Sequence, residues 1–105
     1  MKISIIIPVH NASLTLKECL DAIFDSHFKN FEVIVVSDNS PDNSVKLAKQ
    51  YQCKVIELSE NKGPAFARNT GAQAAEGDIL LFLDSDVIIK NDALNYLSNE
   101  FFNNK

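Results

Sequence analysis

The chain has 105 residues, 46% hydrophobic and 23% charged, an ordinary globular composition that is enough for one domain, residues 1–105, with a real core. Its formal net charge is −4, and its Lys and Arg residues are scattered, which argues against a nucleic-acid backbone as the partner. No segment approaches the roughly 20 apolar residues of a membrane span, and the apolar start of MKISIIIPVH is too short for a signal peptide.

Four short apolar runs recur: ISIII (3–7), FEVIVV (31–36), CKVIEL (53–58) and DILLFL (78–83). Three are nearly continuous, as strands buried on both faces are, and they read as parallel strands. After the first, Leu16, Leu20, Ile23 and Phe24 recur at helical spacing, with Ser13 or Asn11 placed to cap. After the second, Ser40 and Pro41 suit a helix start, and Val45, Ala48 and Tyr51 form its apolar stripe. Gly63 and Pro64 open a third helix, whose alanines and Gly71 permit close approach to a sheet and which Gly77 is expected to end. A last helix is expected from Asn91 or Asp92, with Leu94, Leu97 and Phe101 on one face.

Strand and helix thus alternate four times, which predicts a doubly wound α/β layer with right-handed crossovers. Ligands of such sheets bind beyond the carboxyl ends of the strands, where PVHN, SDNSPDNS, SENKGP and DSD fall. Cys19 and Cys53 match no metal or redox spacing and read as reduced core residues of a cytosolic protein. Peripheral attachment to a membrane stays open.

Asp84 and Asp86 are two apart, so if strand geometry persists past Leu83 they leave on one side and share a cation, Mg²⁺ or Mn²⁺, that also accepts phosphate oxygens. The plainer alternative is an acidic turn. Asp38, at a strand end, reads either as an Asx-turn residue or as an acceptor for a base N–H, and Asp42 as a complement to a helix dipole. Arg68 sits among small residues and needs an acceptor: an acidic surface residue, a strand end, Asp38, a base or a phosphate. His10 has no paired Asp or Ser and reads as a pocket wall rather than a catalytic base.

Taken in order, SIIIPVHN, EVIVVSDNSPDNS and NKGPAFARNTGAQAAEGDILLFLDSD make the chain resemble the amino-terminal part of a family 2, GT-A-fold glycosyltransferase along essentially its whole length. The resemblance implies a Rossmann-like half domain, a four-stranded and mainly parallel sheet in order 3-2-1-4 with helices on both faces. It implies one nucleotide-diphosphosugar-binding domain, truncated relative to the full catalytic domain, with a UDP-sugar as donor and a glycan or lipid acceptor in polysaccharide biosynthesis. By motif, Pro8 and Val9 would line the base pocket, Asp38 would bind the base, and Arg68 would support the base and Asp38. Asp84 would reach the ribose or the second metal shell, and Asp86 would ligate Mn²⁺ or Mg²⁺. In that chemistry the metal neutralises the leaving diphosphate while an acceptor hydroxyl attacks the anomeric carbon with inversion. The family commonly has Tyr in place of His10, an acidic residue in place of Ser37 and Gly in place of Asn39. Its general base comes from a second half after the D-x-D, so this chain is expected to lack one.

A non-catalytic binding or interaction module of the same fold is the alternative. A phosphoacceptor signalling domain of similar layering fits less well, because it needs an acidic pair after the first strand and PVHN has none. Self-association is expected from an uncovered edge at the fourth strand together with Phe101 and Phe102.

Overall fold

The computed structural model describes residues 1–103. Strands β1 (Ile3–Val9), β2 (Phe31–Asp38), β3 (Lys54–Leu58) and β4 (Ile79–Phe82) alternate with helices α1 (Ser13–Phe24), α2 (Ser44–Ala48), α3 (Pro64–Ala74) and α4 (Ala93–Asn103). The sheet order is β3-β2-β1-β4 and every pairing is parallel. All four carboxyl ends therefore share one edge of the sheet, and the polar motifs gather there.

The central strands are apolar on both faces because both faces are covered. Ile3, Ile5, Ile7 and Val9 of β1 and Val33 and Val35 of β2 pack with Leu16, Leu20 and Ile23 of α1, Ala48 of α2 and Leu94 of α4. The intervening Ile6, Ile34 and Val36 meet Ala67 of α3 on the other face. The small residues of α3 have a steric cause: a Cβ on Gly71 would stand 2.5 Å from Ile6 Cγ2 and 3.2 Å from Val36 Cγ2.

Several element boundaries differ from expectation. The N-cap of α1 is Ala12, not Ser13 or Asn11, since Asn11 takes a left-handed turn at φ 55°. α2 starts at Ser44 rather than at Ser40 and Pro41, and Tyr51 lies beyond its end, stacked on Phe24. Ser40 is drawn instead into the crossing between loops, its hydroxyl donating to Val9 O and accepting from Asn11 N–H. Gly77 does not stop α3, which ends at Ala74. It is needed where the chain passes β1, because a Cβ there would lie 2.4 Å from Ser4 Oγ and 2.8 Å from Ser4 N.

The two sheet edges are unlike. β3 carries Lys54 and Glu57, whereas β4 reads ILLF and leaves Leu80 and Phe82 exposed. Charges blunt the first edge and nothing of the kind blunts the second. Phe101 is exposed, and the Phe102 side chain lies outside the described residues.

Candidate active site

Three crossings at the carboxyl edge are tied together by side chains. Asp42, just before α2, accepts hydrogen bonds from Ser13 N–H at 3.0 Å and from the Ser44 N–H and hydroxyl at 3.0 and 2.6 Å, so one carboxylate serves the starts of both α1 and α2. Burial alone would raise its pKa; these bonds outweigh it and hold the carboxyl below its ordinary range. The expected dipole complement is thus a bridge between helices. Asn39, where the family commonly has Gly, sits at φ 54°, a conformation Asn tolerates because its short polar side chain bonds locally.

Asp38 closes the next crossing. Its side chain accepts from Lys62 N–H at 2.7 Å and from Gly63 N–H at 3.0 Å, one bond to each oxygen. These donors open α3, where Gly63 is the N-cap at φ 91° and Pro64 the first helical residue. Helix starts leave such N–H groups without intrahelical partners, and a carboxylate both satisfies them and complements the dipole. The residue is 7% exposed, so it is a structural anchor as well as a pocket residue. Its main-chain carbonyl oxygen lies 2.9 Å from His10 Nδ1.

Past β4, Leu83 N–H still bonds to Ile6 O, but Val87 N–H turns back to Asp84 O at 3.1 Å. Asp84 and Asp86 therefore stand on a tight turn and not on a continued strand, so the alternation argument for their shared side does not apply. Both are exposed. Arg68 reaches this turn: its guanidinium lies 3.8 Å from Asp84 Oδ1. Among the described residues the ion pair of Arg68 is with Asp84 and not with Asp38, whose oxygens take the two N–H groups at the start of α3.

Pro8, Val9, His10, Asp38, Arg68 and Asp84 line one cavity of about 300 Å³, closed further by Pro64, Ala67 and Ser85. Its lining combines apolar Pro8, Val9, Pro64 and Ala67 with the Arg68 cation and the Asp38 and Asp84 carboxylates, a few polar groups on an apolar surface. Asp86 is not among the lining residues. Among the described residues no group of three or more His, Cys, Asp and Glu is arranged to hold a metal. Two oxygen-donor carboxylates on an exposed turn fit a hard cation such as Mg²⁺ or Mn²⁺, which is commonly held by one or two carboxylates and completed by substrate phosphates. Cys19 is buried, its thiol 3.9 Å from Asp84 O, and burial, then the Asp86 charge, pushes it up to about 11. Cys53 is likewise free and pushed up to about 11 by burial.

Residues 4–105 match Glycosyl transferase family 2. The chain belongs to glycosyltransferase family 2. It is 39% identical over 97 residues to an uncharacterized glycosyltransferase of Haemophilus influenzae, a match spanning 88% of this chain and 39% of the relative. TarS of Staphylococcus aureus, a poly(ribitol-phosphate) beta-N-acetylglucosaminyltransferase, is 36% identical over 101 residues, covering 90% of this chain and 18% of that protein. The crystal structure of TarS 1-349 in complex with UDP-GlcNAc superposes with a TM-score of 0.93 at 33% identity, over 98% of this chain and 32% of that one. A mannosyltransferase of Pyrobaculum calidifontis in complex with GDP-Man and Mn²⁺ gives 0.82 at 26% identity, over 88% and 30%. The chain thus spans well under half the length of these family 2 relatives, and the GT-A half domain is the part they share.

The residues that the motif resemblance singled out at the strand ends are thus brought together, apart from Asp86 beside the cavity. Two partners escaped sequence reasoning, the Lys62 and Gly63 N–H groups that hold Asp38. Their signal was the Gly-Pro pair that marks a helix start in need of a cap.

Proposed function

We propose that this chain is the donor-binding half of an inverting, metal-dependent glycosyltransferase, taking a UDP-sugar for transfer to a glycan or lipid acceptor. The observation that carries the reading is the cavity at the strand ends, whose lining joins apolar Pro8 and Val9 to the Arg68 cation and the Asp84 carboxylate. The base lies against Pro8 and Val9 with His10 and Asp38 at its edge, and Asp84 meets the ribose. Arg68, held by Asp84, balances the charge that the donor brings. Asp86, with Asp84, would hold Mn²⁺ or Mg²⁺, which supplies neutralisation of the leaving diphosphate. The TarS complex with UDP-GlcNAc supports the choice of uridine donor.

Calorimetric titration with UDP, GDP, CDP and ADP, with and without Mn²⁺, tests this. Metal-dependent binding of UDP is the expected result. Absence of binding to every nucleotide would leave a fold without a donor site, the non-catalytic module.

A further inference from the structure

A second cavity, of about 420 Å³, opens between α1 and α2 and shares no lining residue with the one at the strand ends. Its walls are two facing stripes. Ser13 and Lys17 stand one turn apart on α1, while Asn43, Lys46, Leu47 and Gln50 recur at three- and four-residue spacing along α2 and the turn that follows it. Leu47 apart, each of these side chains ends in a group that can donate a hydrogen bond, and none is a carboxylate.

That lining runs against the charge of the whole chain, which is formally −4. The neighbouring carboxylates are turned to other partners: Asp42 to the N–H groups of Ser13 and Ser44, and Asp21 to the Lys17 ammonium at 2.7 Å and the Tyr51 hydroxyl. Neither lines the groove. Among the described residues Lys46 makes no ion pair, the cations that do being Lys17, Lys49, Lys54, Lys62 and Arg68. Two ammonium groups on one groove repel each other, and an anion between them turns that repulsion into attraction. The amino-terminal end of α1, whose first helical residue is Ser13, adds the positive end of its dipole on the same side.

We propose that the groove between α1 and α2 is an anion site for a phosphate group, held by the Lys17 and Lys46 ammoniums together with the side-chain amides of Asn43 and Gln50. A phosphate carries several acceptor oxygens in a tetrahedral arrangement, so it engages donors from both helices at once, and lysine serves it as a point charge. The inference goes beyond the donor reading and stands without it, because a nucleotide at the strand ends leaves this groove open.

The test follows backbone amide chemical shifts of the whole chain during titration with glycerol phosphate, with sodium chloride at matched ionic strength as the control. A second arm measures co-sedimentation with phosphatidylglycerol vesicles against phosphatidylcholine vesicles. Lys17 and Lys46 are exposed, so Lys17→Gln and Lys46→Gln leave the core intact. Saturable shifts gathered on residues 13–17 and 43–50 are expected, weakened about fivefold in each variant. Response to the soluble ester without vesicle binding assigns a free phosphate ester as the ligand; binding to phosphatidylglycerol vesicles that is lost in Lys46→Gln assigns a lipid headgroup. Shifts no larger than those with chloride, together with no preference for phosphatidylglycerol, overturn the inference. Undiminished binding in both variants, or shifts gathered around Arg68 instead, overturns it equally.

Discussion

The Asp38 carboxylate takes a 2.7 Å hydrogen bond from the backbone N–H of Lys62, 24 residues further along the chain. With the matching bond from Gly63 it fastens the end of β2 to the start of α3, and so fixes where Pro64, Ala67 and Arg68 stand in the cavity wall. From sequence, a carboxylate at a strand end is a surface group whose removal spares the fold. Its burial reverses that expectation. Asp38→Ala leaves two helix-start donors without partners and is expected to cost about 3 kcal/mol, read from urea denaturation; an unchanged midpoint would contradict the anchoring role.

Arg68 behaves in the opposite way. Its contact with Asp84 is 3.8 Å long, with side chains 40% and 70% exposed, so Arg68→Ala is expected to change stability by less than about 0.5 kcal/mol. The same variant should weaken UDP-sugar binding several-fold, because the cavity loses its cation. A double-mutant cycle between Arg68 and Asp38 is expected to show no coupling in stability. Coupling of more than about 1 kcal/mol would restore the direct pair.

Gly71 and Gly77 are both required by close approach, against different neighbours. Gly71→Ala meets the Ile6 and Val36 methyls and is expected to cost about 1 to 3 kcal/mol. Gly77→Ala meets the Ser4 nitrogen at 2.8 Å and the Lys2 carbonyl at 2.9 Å, backbone atoms that cannot turn aside. It should be the more damaging of the two in thermal unfolding, and the reverse order would show that the 75–78 segment yields easily.

At the amino end of the sheet, Glu32 is expected to contribute to the acid limb of stability. Burial works to raise its pKa, but the Ser4 hydroxyl, the Glu76 N–H and the Lys54 ammonium outweigh it and hold the carboxyl at about 2, against an ordinary 4.5. A depressed carboxyl stabilises the fold fully above its ordinary value and loses that contribution as pH falls from about 4.5 to about 2, on the order of 3 kcal/mol in all. Urea midpoints at about pH 6 and about pH 3 should therefore converge in Glu32→Gln relative to the parent. Parallel acid slopes in the two proteins would assign the acid limb to other carboxylates.

Turnover is expected to fail where binding succeeds. The cavity's titratable groups already serve other contacts: Asp38 holds two N–H groups, Asp84 lies beside Arg68, and the His10 ring is oriented by the Asp38 carbonyl. A general base must come within about 3 Å of the attacking hydroxyl, on the side of the sugar away from the diphosphate. Incubation with UDP-sugar, Mn²⁺ and glycan or lipid acceptors should release UDP no faster with acceptor than without. Robust acceptor-dependent release would place a base among these residues.

The sequence by itself determined the layers. Ile3, Ile5 and Ile7 alternating with Ser4 and Ile6, the 3.6-residue recurrence of Leu16, Leu20 and Ile23, and the small residues of α3 are each the direct imprint of a buried face, so the strands and the two long crossover helices were legible within a residue or two. The motif order was enough to bring Pro8, Val9, Asp38, Arg68 and Asp84 to one edge. What only the tertiary structure decided was pairing. The family resemblance set Arg68 beside Asp38, but hydrogen bonds are short and directional, and the N–H groups that reach Asp38 belong to a loop whose path no local pattern encodes. Asp84 and Asp86 read as a continued strand until the Asp84–Val87 turn, and Gly77 as a helix stop until Ser4 is found against it. Periodicity records which face is buried; the packing of one crossing against the next determines which atom each polar group meets.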